Sequence, residues 1–173
     1  RANREGRPAE APGGRLVFLC GKMAAGKSTL ARELAAREHA VLLVQDEFLA
    51  RLFPGEIRDV DDFLRLSARL RTALEPLVLE LLARGLCVVL DFPGNTRQQR
   101  AWFRDLFERA GAEHELHVIE ASDALCKRQL RFRSRDLPPG TPWTTDEEFD
   151  AITAYFQPPS ADERFTVVHH QRD

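Results

Sequence analysis

The sequence predicts an α/β fold in which helices cover both faces of one parallel, five-stranded sheet. Three observations point there. Apolar runs of strand length alternate with helix-patterned segments along the chain. The runs "AVLLVQ" and "LCVVLDF" lead into or contain an acid at their carboxyl ends, where a parallel sheet carries its site. The first run, "RLVFLC", opens into "GKMAAGKSTL", with glycine and lysine at the spacing of a phosphate-binding loop.

Residues 1–14, "RANREGRPAEAPGG", are polar and rich in Pro and Gly, so a flexible tail is expected there, followed by a single domain over 15–173. Arg15–Cys20 suits a buried strand. A helix follows over about Lys27 to Arg37, with Leu30 and Leu34 on one face. Ala40–Gln45 is a second buried strand that ends at the acid pair Asp46 and Glu47. "DVDDFLRLSARLRTALEPLVLELLARG" has acids at its start, leucines through its middle and Gly85 at its end, the signals of a long helix. Pro76 is expected to kink or split it. Leu86–Phe92 repeats the buried-strand pattern, with helix expected over about Thr96 to Ala110. The strand "HELHVIEA", a helix through "DALCKRQLRFR", a helix near Asp146–Phe156 and the strand "RFTVVHH" complete the series. "SRDLPPGTPW" is expected to be a mobile loop, which makes about 127–145 a lid.

A formal net charge of −2 offers no general attraction to nucleic acid or to an anionic membrane. No apolar run is long enough to span a bilayer and the first residues are unlike a signal peptide, so a soluble cytoplasmic protein is expected. Cys20, Cys87 and Cys126 stand far apart in apolar surroundings and read as small buried hydrophobes. His39, His114, His117, His169 and His170 show no metal-ligand spacing and read as surface or sheet-edge residues.

The phosphate loop is the most specific signal. Gly21, Lys22, Met23, Ala24, Ala25, Gly26, Lys27, Ser28 and Thr29 lie between a strand and a helix, the context such a loop requires. Its glycines allow left-handed turns and bring backbone N–H groups against phosphate oxygens, with the positive end of the helix behind them. Lys27 is suited to the β- and γ-phosphates and the Ser28 hydroxyl to Mg²⁺. Of 25 basic residues only Lys22, Lys27 and Lys127 are lysine, so Lys27 departs from the usual cation of this chain. A slim ammonium fits such a loop where a planar guanidinium would not.

Two acids follow strands at the same sheet edge. Asp91 stands where an acid holds a Mg²⁺-bound water, and Asp46 where an acceptor hydroxyl loses its proton. Those roles are exchangeable, and each acid is also a fitting helix cap. Glu47 is the substitute base. Arg128, Arg131 and Arg133, beside the Pro-rich loop, are candidates to stabilise charge on a transferring phosphoryl group, or else form a solvated basic face. Asn95 and Arg100 are candidate acceptor contacts, while Thr96 reads as a contact or a helix cap. Phe53, Phe63, Trp102 and Trp143 are candidates for an aromatic site and equally for the core.

With the loop, "VQDEF", "VVLDFPGN", the arginine-bearing helix and the Pro-rich segment, the chain from Arg15 onward resembles the P-loop kinase group, in particular its zeta-toxin-like and polynucleotide-kinase-like ATP-binding members. The resemblance implies sheet order 2-3-1-4-5 with an adenylate-kinase-like layout, ATP and Mg²⁺ as cofactors, and Asp46 as general base. The group's lid helix usually carries Arg before Leu, but Gln129 precedes Leu130 here, which leaves the transition-state arginine unassigned. The expected activity is transfer of the γ-phosphate to a hydroxyl of a sugar, nucleoside, nucleotide sugar or antibiotic. A polynucleotide 5′-hydroxyl kinase is the alternative within enzymes, and a non-catalytic ATP-binding switch module the alternative outside them. No guanine-reading NKxD-like segment occurs, so ATP is the expected donor.

Overall fold

The computed structural model describes residues 13–135 and 144–172. Its strands are β1 (Arg15–Cys20), β2 (Val41–Val44), β3 (Cys87–Asp91), β4 (Glu113–Ala121) and β5 (Val167–Arg172), paired in parallel in the order β2-β3-β1-β4-β5. This is the order the resemblance implies, and the P-loop NTPase fold. The helices are α1 (Lys27–Glu38), α2 (Gln45–Leu52), α3 (Val60–Ala83), α4 (Arg97–Ala110), α5 (Asp123–Ser134) and α6 (Asp146–Thr153), with a 3₁₀ turn at Ala161–Glu163. Among the described residues no helix is long and apolar enough to cross a membrane.

The central strand sets the layering. Leu16, Phe18 and Cys20 enter one core with Leu70 and Leu74 of α3 and Phe103 and Leu106 of α4. Val17 and Leu19, pointing the other way, enter a second core with Leu30, Ala31 and Leu34 of α1. A strand covered on both faces needs an apolar residue at every position, which is why β1 reads as an unbroken run. Phe18 stacks on Phe103 with ring centroids 4.6 Å apart, and burying a ring of that size stabilises the fold by about 2–3 kcal/mol. Helix starts are fixed locally. Asp59 caps α3 by accepting the Asp62 N–H at 2.8 Å. Thr96 and Gln99 form a capping box on α4, so Thr96 acts as a cap.

Several expectations are corrected. The helix over Pro76 is not split: α3 runs unbroken for 24 residues. Pro76 is exposed, so the backbone carbonyl it leaves without an intrahelical donor can bind water, while Leu70, Leu74, Val78 and Leu82 anchor both halves to the core. The second strand stops at Val44, and Gln45 already belongs to α2, which places Asp46 in a helical first turn. His117 is buried rather than at the surface, because β4 is interior to the sheet, and its Nδ1 lies 2.8 Å from Nε2 of His170. Gly14, expected in the tail, is buried, and its carbonyl accepts the Glu113 N–H at 3.0 Å. The rest of the tail before residue 13, positions 136–143 of the expected lid, and Trp143 lie outside the described residues.

Arg100 is the largest departure. It is fully buried, donating through Nε to Glu163 Oε1 at 2.9 Å, through Nη2 to Glu163 Oε2 at 3.2 Å and through Nη1 to the Gly94 carbonyl at 3.0 Å. Glu163 also accepts the Ser160 N–H at 2.9 Å. Its burial opposes ionisation, but Arg100 and the Ser160 N–H outweigh that and hold the carboxyl below its usual value. The pair clamps the segment before β5 onto α4 and the 94–95 turn. Arg100→Met, which strands a buried carboxylate, should lower stability by about 3–5 kcal/mol at neutral pH in urea denaturation. Because the folded pKa of Glu163 is depressed, its contribution is complete above the usual 4.5 and lost as pH falls through the folded value. The gap between wild type and variant should therefore narrow in acid.

Candidate active site

The loop between β1 and α1 is shaped by two left-handed residues, Ala24 (φ 60°) and Gly26 (φ 100°). Gly26 has a second reason to be glycine: a Cβ there would lie 2.7 Å from Nη1 of Arg172, whose guanidinium packs onto the loop from the end of β5. Gly21 is not left-handed. It is needed for closeness, since a Cβ would sit 3.3 Å from that of Ile119. Its N–H donates to Asn95 Oδ1 at 2.9 Å, and Asn95 in turn is fixed by its own N–H to Gln99 Oε1 (2.8 Å) and by the Gln157 N–H to its carbonyl (2.8 Å). With Arg100 holding Gly94, a buried ion pair thus supports the turn that supports the phosphate loop.

Three charged groups meet at the carboxyl edge of the sheet. Register explains it: Val44 of β2 lies opposite Asp91 of β3, so Asp46, two residues on, faces the same cleft. Lys27, Asp46 and Asp91 all line that cleft, whose volume is about 550 Å³. The Ser28 hydroxyl donates to Asp91 Oδ2 at 2.8 Å. Burial pushes the Lys27 ammonium below its usual value, against the opposing pull of the Cys20 thiol, Asp91 and Asp46. Burial also raises the Asp46 carboxyl; the charge of Asp91 adds to this and Lys27 works against it. Asp46 is consequently more basic than a free aspartate while still open to the cleft.

The other expected residues divide. Lys22, Met23, Ala24, Gly26 and Asn95 line the cleft, whereas Ala25 is buried in the core against α1, and Thr29 is exposed outside the cleft. Lys22 also pairs with Asp123 at 2.7 Å. Among the three arginines of α5 only Arg133 lines the cleft; Arg128 is exposed away from it and Arg131 pairs with Asp146 at 2.5 Å. Glu47 lies outside the cleft, 4.0 Å from Arg32, because one step along α2 turns it away from Asp46. Arg100, being consumed by Glu163, does not line the cleft. Phe63 does, while Phe53 and Trp102 pack on the core and Trp102 Nε1 donates to Glu75 at 2.9 Å.

Sequence reasoning missed Gln45, Val60, Leu64, Ile152, Tyr155 and Phe156, all of which line the cleft, and Arg172 against Gly26. Val60 and Leu64 had a signal, four residues apart at the start of the long helix. Arg172 had none, since only the closing of β5 beside β4 brings it to the loop.

A family model described as AAA domain matches residues 16–159. No curated protein matches the chain. Solved structures with the same architecture include a candidate kinase from Chloroflexus aurantiacus (TM-score 0.71, 18% identity, 93% of this chain and 88% of that one). Chaetomium thermophilum Kti12 in complex with ADP-AlF3 gives a TM-score of 0.68 at 15% identity, over 91% of this chain and 89% of that one. A chain of the Pnkp1/Rnl/Hen1 RNA repair complex gives 0.67 at 17% identity, over 95% of this chain and 49% of its own. At these identities the agreement establishes the fold.

The loop geometry yields a test of its own. A non-glycine residue in the left-handed region costs about 1 kcal/mol, so Ala24→Gly should raise the unfolding free energy by up to that amount. Gly26→Ala, which combines a positive φ with the Arg172 contact, should lower it by about 1–2 kcal/mol or more. Paired urea titrations of the two variants check both signs.

Proposed function

Because the chain belongs to the AAA domain family and carries a phosphate loop faced by a basic carboxylate, we propose that it is a phosphotransferase that moves the γ-phosphate of Mg·ATP to a hydroxyl group of a small molecule. The observation that carries this reading is Asp46, raised in basicity and open to the same cleft as Lys27, Ser28 and Asp91.

Each residue has a chemical part. The Gly21 and Ala25 N–H groups are held by Asn95 and by the Lys22 carbonyl, so the phosphates are received by the backbone N–H groups from Gly26 onward at the amino end of α1, and Lys27 places a positive charge beside them. The Ser28 hydroxyl and Asp91 carboxylate, 2.8 Å apart, form an oxygen pair of the kind that fits Mg²⁺, which is satisfied by one or two protein oxygens with phosphate and water. A Mg²⁺ ion held by these two residues would supply positive charge to the phosphate oxygens. Asp46 accepts the proton of the acceptor hydroxyl as its oxygen bonds the γ-phosphorus, and the bond to the bridging oxygen breaks to leave ADP. Arg133 is the α5 arginine placed to offset the charge of the transferring group.

Two other readings have less support. A polynucleotide 5′-hydroxyl kinase is favoured by the likeness to a chain of an RNA repair complex, but Arg133 is the only arginine among the described residues that lines the cleft. A strand needs a longer basic track. A non-catalytic ATP-binding switch gives no use to a raised, cleft-facing Asp46.

Asp46→Ala should reduce turnover by at least ~10²-fold while leaving ATP affinity nearly intact. A general base works only when ionised, so turnover should fall as pH drops through an Asp46 pKa that lies above the usual 3.8. That acid limb should be absent from the residual activity of Asp46→Ala. A variant with wild-type turnover, or an unchanged limb, would remove Asp46 from the reaction.

A further inference from the structure

The cleft contains a polar group that neither the fold nor the proposed chemistry uses. Gln45, the residue before Asp46, is 1% exposed and lines the cleft, yet neither its Oε1 nor its Nε2 has a hydrogen-bond partner. A buried carboxamide without partners destabilises a protein, and such a group survives in a folded site when a ligand completes it. Asp46, which would meet the reacting hydroxyl, lines the same cleft, so a molecule seated against Asp46 is also in place to partner Gln45.

The mouth of the cleft supplies a second, independent observation. Eight large apolar side chains are exposed among the described residues, and four of them, Val60, Leu64, Ile152 and Tyr155, line this one cleft. Scattered apolar side chains are ordinary, but their concentration at the entrance of a cavity marks a surface that binds an apolar face. The cationic lining is correspondingly thin: Lys27 faces two carboxylates, Lys22 pairs with Asp123, and Arg133 remains.

We infer that Gln45 is a specificity-determining residue and that the acceptor is an uncharged alcohol with a planar or apolar body. Its second hydrogen-bonding group, next to the reacting hydroxyl, pairs with the Gln45 carboxamide. Nucleosides and aryl glycosides have this chemistry. Free sugars offer only the small C–H face of their ring and no extended planar body, and nucleotide sugars and polynucleotides carry more negative charge than the cleft can match. The inference rests on the phosphotransferase reading for the identity of the acceptor, and on Gln45 and the apolar rim for its chemistry.

The test measures binding and transfer separately. Uridine, 4-nitrophenyl β-glucoside, glucose and a 5′-hydroxyl oligonucleotide are titrated calorimetrically into the wild-type chain and into Gln45→Met, each saturated with Mg²⁺ and a non-hydrolysable ATP analogue. Uridine or the aryl glucoside should bind at least ~10-fold more tightly than glucose and the oligonucleotide, and Gln45→Met should weaken that binding at least ~10-fold. Without any probe, Gln45→Met should melt about 2 °C or more higher, since it replaces an orphaned polar group by an apolar one of similar length. Absence of binding by both planar probes, glucose or the oligonucleotide binding as tightly, unaltered binding by Gln45→Met, or a lower melting temperature for that variant would each overturn the inference. Label transfer from ATP is followed in parallel with the same probes. A planar probe that binds through Gln45 but takes no phosphate overturns the phosphotransferase reading and leaves the recognition site standing.

Discussion

Lys27 holds an ammonium group in a cleft that partly desolvates it, and the two carboxylates that offset this come from different elements, Asp46 from the first turn of α2 and Asp91 from the end of β3. No local segment could assemble the three. They meet because parallel pairing brings the carboxyl ends of β1, β3 and β2 side by side, with Val44 in register with Asp91 and Phe18 with Leu90. Opposite charges in a partly desolvated cleft interact more strongly than in water. The same arrangement places Asp46, Asp91 with its Ser28 partner, and the loop with Lys27 around one space. The β2–β3–β1 pairing is therefore as much a part of the site as the side chains.

The support behind the loop is equally non-local. Glu163, in the 3₁₀ turn before β5, fixes Arg100 of α4; Arg100 holds the Gly94 carbonyl; Asn95 then accepts the Gly21 N–H. An ion pair of this kind is strongly destabilising to break because either partner alone is a buried charge. It makes the 94–95 turn rigid at the point where it touches the loop. The guanidinium of Arg172 reaches Gly26 from the other side, so the loop is bounded by groups from both halves of the sheet.

What the sequence made legible follows from how local each signal is. The phosphate loop and the cap at Thr96 involve contiguous residues: the loop lies between a strand and a helix as its spacing requires, and of the two readings of Thr96 the cap is observed, while its side chain also lines the cleft. Asp46 and Asp91 were legible through one general rule, that parallel strands carry their sites at their carboxyl ends. Arg100 was not, because its burial depends on a partner 63 positions away. Arg128 and Arg131 share a segment with Arg133, yet helical geometry turns only Arg133 to the cleft. Gln45 was hidden by its place: as the last residue of a strand it would have been unremarkable, and only the early start of α2 sets its carboxamide beside the site. Pro76 reads as a breaker, but its exposure lets α3 continue.

On the reading proposed above, a phosphoryl group leaves ATP for a hydroxyl held between Lys27 and Asp46. That reading is tested most directly by incubating the chain with Mg²⁺, [γ-³²P]ATP and pooled sugars, nucleosides, nucleotide sugars, aminoglycosides and 5′-hydroxyl oligonucleotides, with Lys27→Ala as the blank. An acceptor-dependent labelled product that vanishes in the blank is expected. ATP bound with normal affinity but no label in any pool, alongside slow hydrolysis indifferent to acceptors, would contradict it and favour a nucleotide-dependent switch.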